Sequence, residues 1–414
     1  MANQTRDYGD LRVTLTSAYD WVWSDTGSGA ARDATFWQPK PQGTLRAVGS
    51  VGIGNYSDIN GKRASLLVGV NPNKPPVGGK PAVAAPTGYT LIWTDKKSGG
   101  RHNGSFWRPN PPSGYVSLGD VAQGNWDMPR VDKVWCVRRD LVREAKYAPN
   151  SLWDDKKSGA EKDVSCWDML PDSIGVTGAE NIPIRADAYR AHQSYSRPDI
   201  NLAWVLALPI PKDFKRFEAA VPKITPSTIP SRGDQFSFLE QCTVLLPFVA
   251  FFSPTDQRSL DNIRNPFCSV GRSIAWLAEG VWVNGSGGPF HREQTIKYGI
   301  SSTQKEEMTH SAGVEVSASG GIGFANFGIS LNYQFTYQNS HSFTEYSEKS
   351  VTERFEVPAH HATVLFSKHI WLKATRSDGS HVLVQIEITA NDDVYFSGCE
   401  LPKNFEVAAE HLED

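Results

Sequence analysis

The sequence predicts an all-β chain in two unlike parts: a three-sheet β-prism with a pseudo-threefold repeat, then an elongated β-rich domain. Three observations carry this. A short motif bounded by two tryptophans occurs three times with constant internal spacing. The composition, with Gly 35, Pro 26, Trp 13, Tyr 13 and Phe 19 against only 4 Met, suits short strands joined by tight turns. Residues 308–337 alternate between apolar and polar side chains with period two.

The 414 residues suffice for two or three cores. A formal net charge of −3 offers no electrostatic footprint for nucleic acid, so no such partner is expected. The opening Met1-Ala2-Asn3-Gln4-Thr5-Arg6-Asp7 lacks a basic stretch followed by an apolar core, so the protein is expected to be made soluble without a signal peptide. The most apolar run, Cys242 to Phe252, contains Pro247 and falls short of the roughly 20 residues that a spanning helix needs; it reads as a buried strand. The cysteines, Cys136, Cys166, Cys242, Cys268 and Cys399, are odd in number, widely spaced and without a CxxC pair. They read as buried thiols, not as a disulfide framework or zinc site. No metal and no cofactor is expected.

The prism comes first. The copies run from Trp23-Ser24-Asp25-Thr26-Gly27-Ser28-Gly29 to Trp37, from Trp93-Thr94-Asp95-Lys96-Lys97-Ser98-Gly99 to Trp107, and from Trp153-Asp154-Asp155-Lys156-Lys157-Ser158-Gly159 to Trp167. In each, the second tryptophan follows the first by 14 residues. Asp33, Asn103 and Asp163 share one offset, and Thr35, Ser105 and Ser165 another. Three copies of one unit are too few for an ordinary propeller but suit three sheets around an axis. Within a copy, a strand ends at the first tryptophan, Asp-x-x-Ser-Gly turns, and a return strand carries the second. The expectation is that three tryptophan pairs stack in one shared core.

This half resembles the family named for the vacuolar protein sorting protein 62. The resemblance rests on Trp93-x-Asp95-x-x-Ser98-Gly99, Phe106-Trp107-Arg108-Pro109, Gly114-Tyr115-Val116-Ser117-Leu118-Gly119-Asp120-Val121, Val134-Trp135-Cys136-Val137 and Leu206-Ala207-Leu208-Pro209-Ile210. It covers roughly residues 10 to 212 and implies a β-prism module. The third copy departs, with Cys166 where the second has Phe106 and Asp168-Met169-Leu170 where the second has Arg108-Pro109.

Two readings of the repeated loops stand side by side. In one, Asp25, Asp95 and Asp155 cap turns and the serine hydroxyls bond locally. In the other, Asp25, Ser28, Asp95, Ser98, Asn103, Asp155, Ser158 and Asp163 bind a cell-surface receptor or glycan, polar groups taking sugar hydroxyls while an aromatic ring packs on the sugar face.

Dense proline with charges over residues 211–233 reads as a connector. The division is therefore a prism over 1–212, a linker over 213–233 and a second domain over 234–414. Arg232-Gly233-Asp234 reads as a plain turn.

In the second domain, Ala312, Val314, Val316 and Ala318 alternate with polar or small residues. After a glycine-rich tip holding Ile322 and Phe324, Phe327, Ile329, Leu331, Tyr333, Phe335 and Tyr337 alternate with Gly328, Ser330, Asn332, Gln334 and Thr336. A transmembrane strand needs about 9 to 11 such residues. A lone hairpin leaves its edges unpaired in lipid, so copies from several chains would have to close a barrel. This half resembles the aerolysin-like β-pore-forming proteins, which include the epsilon-toxin and mosquitocidal-toxin group. The likeness covers roughly residues 285 to 365 and includes the closing Val351-Thr352-Glu353-Arg354-Phe355-Glu356-Val357-Pro358. It implies a receptor-binding head, a prepore homo-oligomer and a β-barrel in the target-cell membrane. A non-enzymatic toxin, an insecticidal one included, fits that organisation, acting outside the cell that makes it. A lectin-like or trafficking module without pore formation is the alternative. Enzyme motifs are missing: no Gly-x-Ser-x-Gly, Walker loop, His-Glu-x-x-His or dinucleotide fingerprint occurs.

Overall fold

A computed structural model of the chain describes residues 2–171, 181–209, 219–250, 252–298, 349–379 and 386–405. The chain is all-β, a pseudo-threefold prism joined to an elongated β domain. The hairpin residues Val314, Val316, Ala318, Ile322, Phe324, Phe327, Ile329, Leu331, Tyr333, Phe335 and Tyr337 lie outside the described residues.

Each repeat builds one small antiparallel sheet. The first holds Tyr19–Ser24, Thr35–Pro39 and Val51–Ile53; the second, Tyr89–Thr94, Ser105–Pro109 and Val121–Gln123. The third is centred on Ser165–Pro171, with Trp153–Asp154 and Tyr189–His192 on either side. In the first two copies a bulge at Val22 or Ile92 places the first tryptophan opposite Phe36 or Phe106. Trp23, Trp93 and Trp153 then converge, with ring centroids 5.5, 5.6 and 5.9 Å apart in mostly edge-to-face pairs. Such geometry suits the ring quadrupoles.

Only the first tryptophan of each pair reaches this core. The residue before the second one, Phe36, Phe106 or Cys166, points in, and strand alternation sends the next side chain the other way. Trp37, Trp107 and Trp167 are buried in three separate outer clusters, with Tyr19, Tyr89 and Tyr147 respectively. The expected stack of six therefore resolves into a central trio and three satellites. Tyr189 packs against Phe36 and Phe106, at 5.0 and 5.4 Å, in the core to which the third copy contributes the smaller Cys166. Close approach elsewhere demands glycine: a Cβ on Gly119 would lie 2.5 Å from that of Ala188, and one on Gly49 2.9 Å from the Gly119 Cα.

A second, aliphatic core draws on two other sheets of the prism and on further strands of the sheet that holds the third repeat. Leu11–Thr16 with Ser65–Val70, Val83–Ala84 with Cys136–Arg138, and Val142–Tyr147 with Trp204–Pro209 contribute Val13, Leu66, Val83, Val137, Val142 and Leu206. This core does not end with the prism. Leu246, Phe248, Val249, Phe252, Leu260 and Phe267 belong to the same cluster. Backbone bonds join the halves as well: Gln4 N–H to the Arg264 carbonyl at 2.7 Å and Ala64 N–H to that of Pro254 at 2.8 Å.

The second domain is a four-stranded antiparallel sheet ordered Gln235–Pro247, Phe267–Asn284, His361–Thr375, Ile386–Glu400. Part of the expected linker packs onto it. Ala219 and Ile224 are buried with Trp276, Val364 and Phe366, and the Trp276 indole N–H donates to the Ala219 carbonyl at 3.2 Å. Proline keeps this stretch out of strands, but its apolar side chains still find a sheet face. Arg232-Gly233-Asp234 is a turn, closed by Asp234 N–H to the Ser231 carbonyl with Gly233 at φ +91°.

A separate two-stranded ribbon, Phe290–Tyr298 with Lys349–Val357, begins near Asn284, whose amide donates to the Val357 carbonyl at 3.1 Å. It doubles back over the sheet. Phe355 lies 4.5 Å from Trp282 and 4.9 Å from Phe396, and Ile296 packs with Leu365. Among the described residues no helix is long and apolar enough to cross a membrane.

Candidate functional site

The three Asp-x-x-Ser-Gly loops interlock around the tryptophan trio. Each turn is closed in the same way, with the Ser28, Ser98 or Ser158 N–H donating to the Asp25, Asp95 or Asp155 carbonyl at 2.9 Å. The third turn residue has positive φ: Gly27 at +85°, Lys97 at 69° and Lys157 at 70°. The serine hydroxyl then accepts the N–H two residues on, from Ala30, Gly100 or Ala160.

Neighbouring loops are tied cyclically. Ala31 N–H donates to the Lys156 carbonyl, Arg101 N–H to that of Thr26 and Glu161 N–H to that of Lys96, at 2.9, 2.9 and 3.0 Å. The indoles complete the ring: Trp23 donates to the His102 carbonyl, Trp93 to that of Lys162 and Trp153 to that of Arg32, at 2.9, 2.7 and 2.9 Å. These bonds satisfy indole N–H groups that burial would otherwise leave without a partner.

Six of the eight candidate residues serve this frame. Asp25, Ser28, Asp95, Ser98, Asp155 and Ser158 are buried. Asp25 Oδ1 accepts the Ala34 N–H, and Asp155 Oδ1 that of Val164, both at 2.9 Å. Burial pushes both carboxyls above the usual range, against these bonds. Asn103 and Asp163 are exposed, as is Asp33 at the same offset.

Each loop also carries an aromatic side chain that the sequence did not single out. The Tyr56 hydroxyl donates to Asp25 Oδ1 at 2.9 Å and to Asp33 Oδ1 at 3.1 Å. The Trp126 indole donates to Asp95 Oδ1 at 2.8 Å, and the Tyr195 hydroxyl to Asp163 Oδ1 at 2.9 Å. Tyr56 is 48% and Trp126 40% exposed. Burial first, and then the neighbouring carboxylates, keep both tyrosine hydroxyls protonated well past their ordinary range. Tyr56 and Trp126 each follow the second tryptophan of their copy by 19 residues, a spacing that extends the repeat; Tyr195 follows by 28. The arrangement offers three aromatic faces, each beside a carboxylate, on one rigid frame. Among the described residues no group of three or more His, Cys, Asp or Glu is placed to hold a metal.

Residues 1–203 match the family model described as vacuolar protein sorting-associated protein 62. Among solved structures, the crystal structure of GNIP1Aa from Chromobacterium piscinae is similar at 25% identity and a TM-score of 0.36, over 46% of this chain and 35% of that one. The chain thus spans about a third of the length of GNIP1Aa. The crystal structure of Cry35Ab1 is similar at 12% identity and a TM-score of 0.31, over 95% of this chain and 90% of that one. A comparison with curated proteins found no match.

Proposed function

We propose that this chain is a β-pore-forming toxin. The prism docks on a cell-surface glycan or protein receptor, copies of the chain assemble, and residues 312–337 enter the target membrane as an amphipathic hairpin. The protein acts outside the cell that makes it and performs no covalent chemistry.

The observation that carries this reading is the ribbon. Its strands pair without a break from Phe290 opposite Val357 to Tyr298 opposite Lys349, so segment 299–348 leaves and re-enters at neighbouring strand ends. A segment held in that way can extend the same two strands as one hairpin. The ribbon also forms a sheet of its own beside the four-stranded sheet. Its outer face is polar and exposed, with Glu293, Lys297 and Arg354, and its attachment runs through a few apolar side chains: Ile296, Phe355 and Val357. Swinging it away would break that packing.

Dye release from liposomes or target cells tests the reading, with binding measured in parallel. Release is expected from protein that binds; bound protein that releases nothing at any concentration would overturn it. Replacing Ile296 and Leu365 by cysteine, and confirming the crosslink by mass spectrometry, should stop release and spare binding. A cysteine pair at Thr295 and Thr352, which face each other with hydroxyls 3.0 Å apart, staples the ribbon to itself and should leave release intact.

A further inference from the structure

Two of the three aromatic sites on the prism already hold a cation. Lys96 Nζ lies 4.8 Å from the Trp126 ring centroid, and Lys156 Nζ lies 4.8 Å from that of Tyr195. An ammonium over a ring face is drawn to the negative side of the ring quadrupole. The carboxylate that accepts from each ring, Asp95 or Asp163, adds attraction of the same sign.

The third site has the ring and the carboxylates without the lysine. Tyr56 bridges Asp25 and Asp33 as Tyr195 stands beside Asp155 and Asp163. At the position of Lys96 and Lys156, the first copy has Thr26, whose hydroxyl lies 2.9 Å from that of Ser24. Three atoms beyond the backbone do not span a tyrosine face. The loop's own arginine is committed elsewhere: the Arg32 guanidinium donates to the carbonyls of Ser151 and Leu152 and pairs with Asp154. Among the described residues, none of the cation–ring contacts involves Tyr56.

We propose that the Tyr56, Asp25 and Asp33 site binds a primary alkylammonium from outside the chain, of the kind a lysine side chain of a partner protein presents. The lysines seated in the other two copies define both the charge and the chain length that this frame accepts. The partner's ammonium would stand over the half-exposed ring, with two carboxylates beside it and water on the open side. A single such contact is weak, so the site contributes to recognition within a larger interface. This proposal is independent of the pore reading: a chain that never lyses membranes would keep the site.

The test is an NMR titration of the whole chain carrying ¹³C-labelled tyrosine rings, with Tyr56→Phe used to assign the Tyr56 signal. The probes are Nα-acetyl-lysine N-methylamide, its uncharged norleucine counterpart, and tetramethylammonium. A saturable shift of Tyr56 is expected with the lysine probe and none with norleucine. Thr26→Lys supplies the residue that the other two copies carry, so the loop keeps its fold; filling the site from inside should weaken the lysine probe at least tenfold. The inference is overturned if the lysine probe does not saturate, if norleucine matches it, if Thr26→Lys binds it equally well, or if tetramethylammonium alone binds.

Discussion

Asp120 has no exposed surface, and its carboxyl is nonetheless held below the ordinary range. Burial alone would raise it. The guanidiniums of Arg190, at 2.6 Å, and Arg108, at 3.0 Å, outweigh that, with the Ala191 N–H as a further donor at 2.8 Å. Asp187 beside Arg63 and Arg185, and Asp10 beside Arg138, repeat the pattern at other junctions of the prism. The net worth of such a pair against an apolar one is small, but removing one partner strands the other charge. Asp120→Asn should therefore destabilise the chain by about 3–5 kcal/mol at neutral pH, read as a shift in the urea midpoint. The pH dependence follows from the direction of the shift. A carboxyl depressed in the folded state contributes above its unfolded value, near 3.9, and loses that contribution as pH falls through its folded value. The gap between wild type and Asp120→Asn should accordingly narrow below about pH 4. A gap that stays constant down to pH 2 would mean that ionised Asp120 is not what the arginines hold.

At the scale of the element, the repeated turn shows what the sequence exposed and what it hid. Aspartate and serine stood out because their offsets never change, and they never change because the same backbone bonds recur in each loop. Those offsets report loop closure whether or not anything binds, which is why six candidate binders sit buried in the frame. The inward and outward fates of Phe36 and Trp37 were hidden because both are large and apolar, so strand alternation alone does not say which one faces the axis. The aromatic sites were hidden by the third copy, where Tyr195 falls outside the common spacing. The turn also yields a stability prediction. Lys157 sits at φ 70°, where the first copy has Gly27. A left-handed non-glycine residue costs about 1–2 kcal/mol, and glycine's extra freedom when unfolded costs about 0.5–1 kcal/mol. Lys157→Gly should then gain on the order of 0.5 kcal/mol, seen as a higher melting temperature. Lys157→Ala, which keeps a Cβ at that φ, should not gain. Equal gains from both would place the effect in surface charge instead.

At the scale of the molecule, one strand joins the prism to the ribbon. Phe267–Asn284 starts with Phe267 and Cys268 inside the prism's aliphatic core and finishes with Trp282 under the ribbon. At about 3.3 Å per residue its 18 residues span on the order of 55 Å. The head is thus anchored at one end of the sheet, and the ribbon turns off at the other. On the proposed reading, separation of this kind would let a docked prism stay fixed while the ribbon moves, provided that the anchor is rigid. Phe252 tests the anchor: it is fully buried in the cluster that the halves share. Phe252→Ala should cost about 3–5 kcal/mol, and because the cluster is common property, the loss should be felt on both sides. Hydrogen exchange read by mass spectrometry should rise in Leu11–Thr16 and Ser65–Val70 as well as in residues 245–250. Faster exchange confined to residues 245–268 would mean that the prism core closes without its neighbour, and that the long strand hangs from the head instead of being built into it.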